Sequence, residues 1–400
     1  MRVIKISTLR EKALKLHEVN QGKLGVYSKV SIKTKEDLAL AYSPGVAEPC
    51  KEIYQDPSLI YRYTGKGNTV AVVTDGSAVL GLGNIGPKAA LPVMEGKCIL
   101  FKEFAGIDAI PICLDTQDVE EIIQAVKLIS PGLGGINLED ISSPRCIEIE
   151  ERLKQELDIP VFHDDQHGTA VVTLAALINY CRLLKRDIRN LKIVISGMGA
   201  AGTSIAKLLR LYGAKTIYGT NAQGIISKSK YHRYNSAVQK LLDDGIVDDF
   251  EITEDSLAEV VKNTDCFIGV SVANILTVDM INSMNDDPII LAMANPNPEI
   301  PYEEALKSKA AIIGTGRSDY PNQINNVLAF PGIFRGALDA KSYKITDEMK
   351  IVASEAIAYL IKDEELRRDY IIPSPFDSRV VKAVSNAVYQ KAKELKVCRE

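Results

Sequence analysis

A glycine-rich turn between a predicted strand and a predicted helix constrains the fold of this chain most. The apolar run LKIVIS (191–196) predicts a buried strand, GMGAAG (197–202) follows it directly, and the apolar periodicity of 200–212 predicts a helix. A G-x-G-x-x-G pattern in this position is typical of a dinucleotide-binding turn, because its glycines let a pyrophosphate approach the helix N-terminus. A tight turn without a ligand is the alternative interpretation.

Strands and helices alternate on both sides of this turn. Further apolar runs predict strands at 68–77, 109–114, 134–138, 159–162, 215–219, 265–271, 288–295 and 310–314. Helical periodicity is found at 91–106, 118–130, 143–157, 169–184, 351–361 and 380–395, with Ser143 as the expected N-cap of the third. Such alternation is typical of parallel, doubly wound sheets. We therefore expect an α/β protein with a first domain over 1–163 and a Rossmann-like domain with C-terminal helices over 164–400.

Length and composition agree with two domains and exclude several classes of protein. The chain has 400 residues, more than one hydrophobic core usually supports. Its net charge of −4, without a basic run, gives no electrostatic support for a nucleic-acid or membrane partner. We expect neither a membrane span nor a signal peptide. The seven scattered cysteines lack C-x-x-C spacing, which is typical of reduced thiols in a cytoplasmic protein.

A second G-x-G-x-x-G pattern, GLGNIG (81–86), lies in a different context. It follows the turn TDGSAVL rather than a strand, and it runs into Pro87. We expect its glycines, Gly81 and Gly83 among them, to form a nest of backbone N–H groups that binds a carboxylate. A second nucleotide site and plain packing are the alternatives.

Acidic pairs follow two of the predicted strands. Glu139–Asp140 comes after 134–138, and Asp164–Asp165 comes after 159–162. Ligands of parallel sheets bind outside the carboxyl ends of the strands, and carboxylates gathered there repel one another unless a cation or protons intervene. Oxygen ligands favour Mg²⁺ or Mn²⁺. The pattern therefore predicts a divalent metal site, with helix caps and exposed turn acids as the alternative.

The segment HDDQH (163–167) superficially resembles a zinc motif. Its two histidines are four residues apart, but the segment follows a strand and precedes Gly168, so we do not expect it in the middle of a helix. Each histidine is interpreted as a satisfied loop residue.

Two lysines lie on the predicted helix 91–106. Lys97 has apolar residues one turn before and after it, and desolvation there lowers a lysine pKa towards the range of a general base. Lys102 has comparable neighbours, so the pattern alone does not separate the two. A lysine that extends its ammonium into solvent is the alternative for either.

Five segments in colinear order, from about residue 20 to residue 340, resemble the bacterial small-type malic enzymes. They are AYSPGVAEPC (41–50), GLGNIGPKAALPVMEGK (81–97), INLEDI (136–141), VFHDDQHGTA (161–170) and SDYPNQINNVLAFPGIFRGALD (318–339). The resemblance implies oxidative decarboxylation of L-malate to pyruvate with NAD or NADP and with Mg²⁺ or Mn²⁺. We expect a cytoplasmic homodimer.

The resemblance also implies roles for single residues. Tyr42 matches the general acid, Lys97 the general base and Asp164 a neighbour that supports the lysine. The implied metal ligands are Glu139, Asp140 and Asp165. Substrate is implied to contact Asn295, Asn326, Gly81 and Gly83, and the cofactor to contact Thr169, Gly197, Gly199, Ala200, Ala201, Gly202, Asn221 and Asn295.

Two positions depart from the family pattern. Ala78 stands where the large eukaryotic-type relatives have an arginine that grips the substrate carboxylate. Asn221 stands where many relatives have an acid on the ribose, so we expect NAD to be preferred and NADP tolerated. A malolactic enzyme that releases lactate, and a catalytically silent dinucleotide sensor, are the alternative functions.

Overall fold

The computed structural model describes residues 8–79 and 81–399, and helices and strands alternate within them. The helices are α1 (Leu9–Asn20), α2 (Lys35–Ala41), α3 (Ala47–Gln55), α4 (Ile60–Tyr63), α5 (Gly86–Ala105), α6 (Val119–Ile129), α7 (Arg145–Glu156), α8 (Asp164–Leu184), α9 (Ala200–Tyr212), α10 (Ser236–Asp243), α11 (Leu257–Val261), α12 (Val278–Ser283), α13 (Tyr302–Ala305), α14 (Phe330–Asp339), α15 (Asp347–Ala358) and α16 (Arg379–Glu394). The strands are β1 (Thr69–Thr74), β2 (Asp108–Cys113), β3 (Gly135–Leu138), β4 (Val161–His163), β5 (Lys192–Ser196), β6 (Thr216–Asn221), β7 (Gly224–Ile225), β8 (Cys266–Gly269), β9 (Ile289–Ala292) and β10 (Ile312–Thr315).

Two sheets form the frame of the molecule. The first has the order β2-β1-β3-β4 and the second the order β10-β9-β8-β5-β6-β7. All pairings are parallel except that of β6 with the short β7. The predicted α/β class with parallel sheets is confirmed. Because parallel strands end at the same edge, residues that follow β3 and β4 meet at one edge of the first sheet.

The helix α8 lies at the centre of the molecule and packs against α9 and α15. By length and composition it is apolar enough to cross a membrane, yet 72% of its most apolar window is buried inside the protein. An amphipathic surface helix would bury one stripe only, whereas α8 is apolar nearly all round. The burial identifies α8 as a core helix.

Aromatic side chains join the C-terminal helices to the first sheet. Phe101 of α5 packs edge to face on Phe330 and Phe334 of α14, with ring centroids 4.7 and 5.2 Å apart. Phe162 of β4 meets Phe334 at 5.7 Å. Such pairs add to the free energy of burying the rings. The last helices therefore hold α5 and β4 in place, and both of these elements border the site described below.

Four predicted helix starts differ from the structure by two or more residues. α5 begins at Gly86 rather than at 91, and α15 at Asp347 rather than at 351. α8 begins at Asp164 rather than at Thr169, because the acidic pair sits in the first turn, where the helix dipole stabilises negative charge. α7 begins at Arg145 with Pro144 at the N-cap, so Ser143 does not cap it. The boundary between residues 163 and 164 stays a prediction; it falls between β4 and α8.

Candidate active site

A cluster of one lysine and four carboxylates lies where β3 and β4 end, and all of its members are buried except Asp165, whose side chain is 35% exposed. We call Lys97, Glu139, Asp140, Asp164 and Asp165 the charge cluster. The Lys97 Nζ, from the middle of α5, lies 2.6 Å from Asp164 Oδ2 and 2.8 Å from Glu139 Oε1. Lys97 is 7% exposed and Asp164 fully buried. Ion pairs this far from water hold one geometry, which suits a group that must meet a substrate atom.

The surroundings of the charge cluster shift the pKa values of its members. Burial alone would lower the pKa of Lys97, but the carboxylates of Asp164, Glu139 and Asp165 together raise it. The expectation of a lowered lysine pKa is therefore wrong for the protein without a bound cation. Burial, against the opposing effect of Lys97, raises the pKa of Asp164 to about 7 and that of Asp165 to about 6. The cluster holds more negative charge than one lysine neutralises.

Three members of the charge cluster form a candidate cation site. Ligand atoms of Glu139, Asp140 and Asp165 all lie within 4.8 Å of one another. Asp140 adopts a left-handed backbone, with φ of 53°, and its N–H donates to Asp165 Oδ2 over 2.8 Å. That non-glycine conformation is uncommon and is found where a turn must aim a side chain. The group offers oxygen donors only, the set that Mg²⁺ and Mn²⁺ prefer.

The second lysine of α5 lies elsewhere. Lys102 Nζ donates to Asp108 Oδ1 over 2.7 Å and to the Tyr27 hydroxyl over 3.2 Å, at the surface. Its side chain is 39% exposed, against 8% for Lys97. The structure thus separates two lysines that the sequence pattern left equivalent.

Neighbours that the sequence did not single out hold Lys97 and Asp164 in place. The Phe330 ring lies under Lys97, with Nζ 4.4 Å from its centroid. Asn326, which was predicted, donates from Nδ2 to Asp164 Oδ2. A Cβ on Gly168 would lie 2.0 Å from Asp164 Oδ1, so only glycine fits there. No spacing rule would have found Phe330 or Gly168, because they act through tertiary contacts.

The first glycine loop (81–86) joins β1 to α5 beside the charge cluster. Gly81, Gly83 and Gly86 all have positive φ, between 72° and 76°, which glycine adopts without strain. The chain before the loop is tied to the cluster, since the Ala78 N–H donates to the Asp140 carbonyl over 2.9 Å. A Cβ on Gly81 would lie 3.1 Å from Pro296 Cδ. The loop therefore closes on the segment of Asn295, which follows β9.

The second glycine loop (197–202) joins β5 to α9, as predicted. Gly197 has φ of 100°, and the N–H groups of Gly197 and Met198 both donate to the Thr220 carbonyl over 3.0 Å. A Cβ on Gly202 would lie 2.1 Å from the Gly197 carbonyl oxygen. This tight turn sets Gly199 at the N-cap of α9 and Ala200 and Ala201 in its first turn. N–H groups of a first helical turn lack partners within the helix and suit a phosphate.

The remaining predicted contact residues lie at the end of β6, on α8 and after β9. Asn221 ends β6, next to β5, and its Oδ1 accepts from the Gln223 N–H over 2.8 Å. Thr169 lies on α8 one turn after Asp165. Asn295 donates from Nδ2 to the Met293 carbonyl over 3.2 Å.

Tyr42 is not brought to the charge cluster within one chain. It follows α2, and its side chain is 68% exposed. Among the described residues 8–65, none is buried. Several large apolar side chains there are more than half exposed, namely Leu9, Leu14, Leu16, Val19, Val26, Tyr27, Val30, Ile32, Leu40, Tyr42 and Tyr54. Apolar side chains exposed in such number within one segment are typical of an interaction site.

The two histidines of HDDQH have different environments. His167 Nε2 lies 2.8 Å from Glu150 Oε2, and its Nδ1 lies 3.1 Å from Lys350 Nζ. Burial, with a contribution from Lys350, lowers the pKa of His167 to about 3, so the ring is neutral and satisfied. His163 is fully buried, and neither ring nitrogen has a hydrogen-bond partner among the described residues. The interpretation as a satisfied loop residue is wrong for His163, which ends β4 and has no such partner. His167 is satisfied, but it lies in α8 rather than in a loop.

Comparison with known proteins agrees with a two-part oxidoreductase. Residues 21–154 match the family model "Malic enzyme, N-terminal domain", and residues 166–393 match "Malic enzyme, NAD binding domain". The chain belongs to the malic enzyme family and is a decarboxylating oxidoreductase.

Relatives and solved structures extend over nearly the whole chain. A bifunctional malic/malolactic enzyme of Bacillus subtilis is 56% identical over 98% of this chain and 95% of its own length. An NAD-dependent malic enzyme of Geobacillus stearothermophilus is 51% identical over 100% of this chain and 82% of its own. The crystal structure of the malic enzyme from Pyrococcus horikoshii is 46% identical, with a TM-score of 0.91 over 98% of this chain and 92% of that one.

Proposed function

We propose that the chain oxidises L-malate to pyruvate and CO₂ with NAD, and that the charge cluster carries the proton transfers. The observation that carries the proposal is the buried Lys97 ammonium, 2.6 Å from Asp164 and 2.8 Å from Glu139, beside three carboxylates that suit one cation. The similar enzymes of Bacillus subtilis and Geobacillus stearothermophilus support the choice of substrate.

The groups that the chemistry needs fit the residues present. Glu139, Asp140 and Asp165 would hold Mg²⁺ or Mn²⁺, which when bound supplies positive charge beside the substrate hydroxyl and offsets the carboxylates that keep Lys97 protonated. The second glycine loop would hold the dinucleotide, whose nicotinamide accepts a hydride. In this proposal the cation and the dinucleotide would meet in one space between the two sheets.

Within that space, the predicted site residues have separate roles. Lys97 Nζ takes the proton of the malate hydroxyl as hydride leaves the carbon that carries this hydroxyl. Asp164 orients the lysine. Asn326, Asn295 and the first glycine loop hold the substrate carboxylates, since Ala78 offers no guanidinium. The Phe330 ring shields one side of Lys97 from water, which strengthens the electrostatic interactions around it.

Tyr42 is proposed as the general acid that protonates the carbon of enolpyruvate after CO₂ leaves. Its exposure in the single chain supports a homodimer, because residues 8–65 bury no side chain of their own. We infer that a second copy of the chain covers this apolar segment and encloses Tyr42. Sedimentation analysis should give twice the chain mass, and Tyr42→Phe should abolish pyruvate formation without dissociating the dimer.

Cysteine state and net charge support a cellular compartment and a class of partner for the proposed enzyme. The seven cysteines are free thiols, which supports a reducing, cytoplasmic compartment. A net charge of −4 without a basic patch supports a small-molecule substrate rather than nucleic acid or a membrane surface.

One assay tests the proposed activity and distinguishes it from the second candidate function, the malolactic reaction. Purified protein with L-malate and Mn²⁺ should reduce NAD, seen as nicotinamide absorbance, and release pyruvate. A malolactic reaction, favoured by the printed name of the Bacillus subtilis relative, would release lactate with no net change in absorbance. Absence of both products, despite NADH binding, would leave the silent-sensor alternative as the answer.

A further inference from the structure

The turn after β6 carries the side of the dinucleotide site that meets the adenosine ribose. In parallel nucleotide-binding sheets, the residue at the end of the second strand approaches the ribose hydroxyls. Here that residue is Asn221, and the chain then reverses into β7, with Asn221 paired to Gly224. A 2′-phosphate on the ribose, the only difference between NADP and NAD, would come to this turn.

One cation reaches the same turn and is already engaged. Lys230 Nζ donates to the Gln223 carbonyl over 3.0 Å and to both carboxylate oxygens of Asp255, over 2.9 and 2.8 Å. The side chain of Lys230 is only 11% exposed. The Lys230 ammonium therefore contacts Gln223, which is two residues after Asn221 in the chain. Its charge is balanced by Asp255.

Asp255 is built into the turn rather than placed beside it. Its Oδ1 also accepts from the Ile225 N–H over 2.8 Å. A Cβ on Gly224 would lie 2.4 Å from the same oxygen, and Gly224 has φ of 93°, so only glycine leaves room for this carboxylate. The other nearby cations, Lys228 and Arg233, are exposed, and the charge of Arg233 adds to that of Lys230 in lowering the pKa of Asp255.

We propose that the Asp255–Lys230 ion pair sets selectivity against the 2′-phosphate, because Asp255 neutralises the largely buried ammonium that contacts this turn and would otherwise bind the phosphate. Asn221 carries no charge to repel a phosphate, so the discrimination comes from an ammonium at this turn whose charge Asp255 has already balanced. A lysine on a flexible four-carbon stem binds phosphate well when its charge is free. This inference rests on the proposed binding of the dinucleotide along the second glycine loop.

The direct test is Asp255→Asn, which removes the charge and keeps an acceptor for the Ile225 N–H. Fluorescence titration should show NADPH binding tightened about tenfold, the change that a phosphate gains from one freed cation, and NADH binding changed less than about twofold. With malate and Mn²⁺, the ratio of kcat/KM for NADP to that for NAD should rise by a similar factor. Adding Lys230→Gln to this variant should remove the gain.

Asp249→Asn is the matched control. Asp249 accepts from the Lys228 N–H over 2.8 Å in the same region and does not contact Lys230, so its loss of charge should leave the NADPH affinity unchanged. Should Asp255→Asn fail to fold, Lys230→Gln alone decides, because it leaves Asp255 unpaired and should weaken NADPH binding several-fold while sparing NADH.

Three results would overturn the inference. They are unchanged NADPH affinity in Asp255→Asn, a gain that survives Lys230→Gln, and equal shifts for NADH and NADPH, which would indicate a general disturbance of the turn. Wild-type protein that binds neither dinucleotide would instead overturn the proposed cofactor site.

Discussion

The charge cluster and the second glycine loop lie at the carboxyl edges of two different sheets and offer a ligand opposite kinds of groups. The charge cluster gathers ionised side chains in a buried place, and the pKa of Asp165 there rises to about 6 because of burial and of Asp164. The second glycine loop has no charged side chain and presents backbone N–H groups. Side chains at the first edge can exchange protons, whereas the backbone at the second edge can only hold a ligand.

The difference assigns a separate measurable quantity to each edge. Changes in the charge cluster should alter metal binding and kcat, because they remove a reacting or ligating atom. Changes in the second glycine loop should alter dinucleotide affinity and leave metal binding intact. A substitution in the charge cluster that changes dinucleotide affinity, or one in the second glycine loop that changes metal binding, would contradict this separation.

Removing a metal ligand should have the largest effect. Asp165→Ala should reduce turnover to the level of chelator-treated enzyme, since three carboxylates define the candidate site. In the metal-free state the variant should melt at or above the wild-type temperature at pH 8. A carboxyl whose folded pKa is raised stabilises the fold at low pH and loses that contribution as the pH rises through about 6, so at pH 8 its charge is a net cost.

Mn²⁺ gives the complementary measurement on the same variant. Calorimetric melting should show that Mn²⁺ raises the unfolding temperature of the wild type but not that of Asp165→Ala, because only a ligand bound to the folded state stabilises it. A chelated wild-type enzyme with full activity would rule out the metal site.

Replacing Lys97 of α5 by alanine should have the next largest effect, and Lys102 on the same helix provides the control. Lys97→Ala should lose at least ~10²-fold in kcat, the lower end for a general base, with NADH affinity nearly unchanged. Lys102→Ala, on the same helix but at the surface, is the control and should retain activity within about twofold, because an exposed ion pair contributes little. Steady-state kinetics showing Lys102→Ala as the more damaging change would reverse the assignment.

These two lysines also show how far sequence reasoning reached. Apolar runs predicted the strands because buried parallel strands are apolar throughout, and the acidic pairs could be placed at one edge because both follow a strand. The distinction between Lys97 and Lys102 depends on which face of α5 meets that edge. Phe330, more than 200 residues along the chain, helps to set this contact, and no local pattern reports it.

The start of α8 and the position of Tyr42 were less accessible for different physical reasons. The polar run DDQHG has the composition of a loop, yet it forms the first turns of α8, where Gly168 leaves room for the side chains of Asp164 and Asn326. Tyr42 follows a helix that buries nothing within one chain, and in our proposal a second copy of the chain supplies its contacts. Intrachain periodicity carries no information about such a surface.

Crowding the second glycine loop should have an intermediate effect. Gly202→Ala would place a Cβ 2.1 Å from the Gly197 carbonyl oxygen, and overpacking of this kind costs about 1–3 kcal/mol. We expect a lower unfolding temperature in the cofactor-free protein and NADH binding weakened about tenfold, with Mn²⁺ affinity unchanged. Gly199→Ala is the control for stability, since a Cβ there meets nothing within 4 Å. An equal loss of stability in both variants would contradict the packing argument.

The smallest effect is expected at Asn221, where the second edge acquires a charge. Asn221→Asp keeps an acceptor for the Gln223 N–H, now 2.8 Å from Oδ1, and adds a negative charge towards the ribose. Selectivity for NAD over NADP should increase by about threefold. This is less than the tenfold change that corresponds to about 1.4 kcal/mol, because Asp255 already places a carboxylate at this turn. The measurement is kcat/KM with each dinucleotide at saturating malate and Mn²⁺. A wild-type enzyme that favours NADP tenfold would refute the NAD preference. An unchanged ratio in the variant would mean that residue 221 faces away from the ribose.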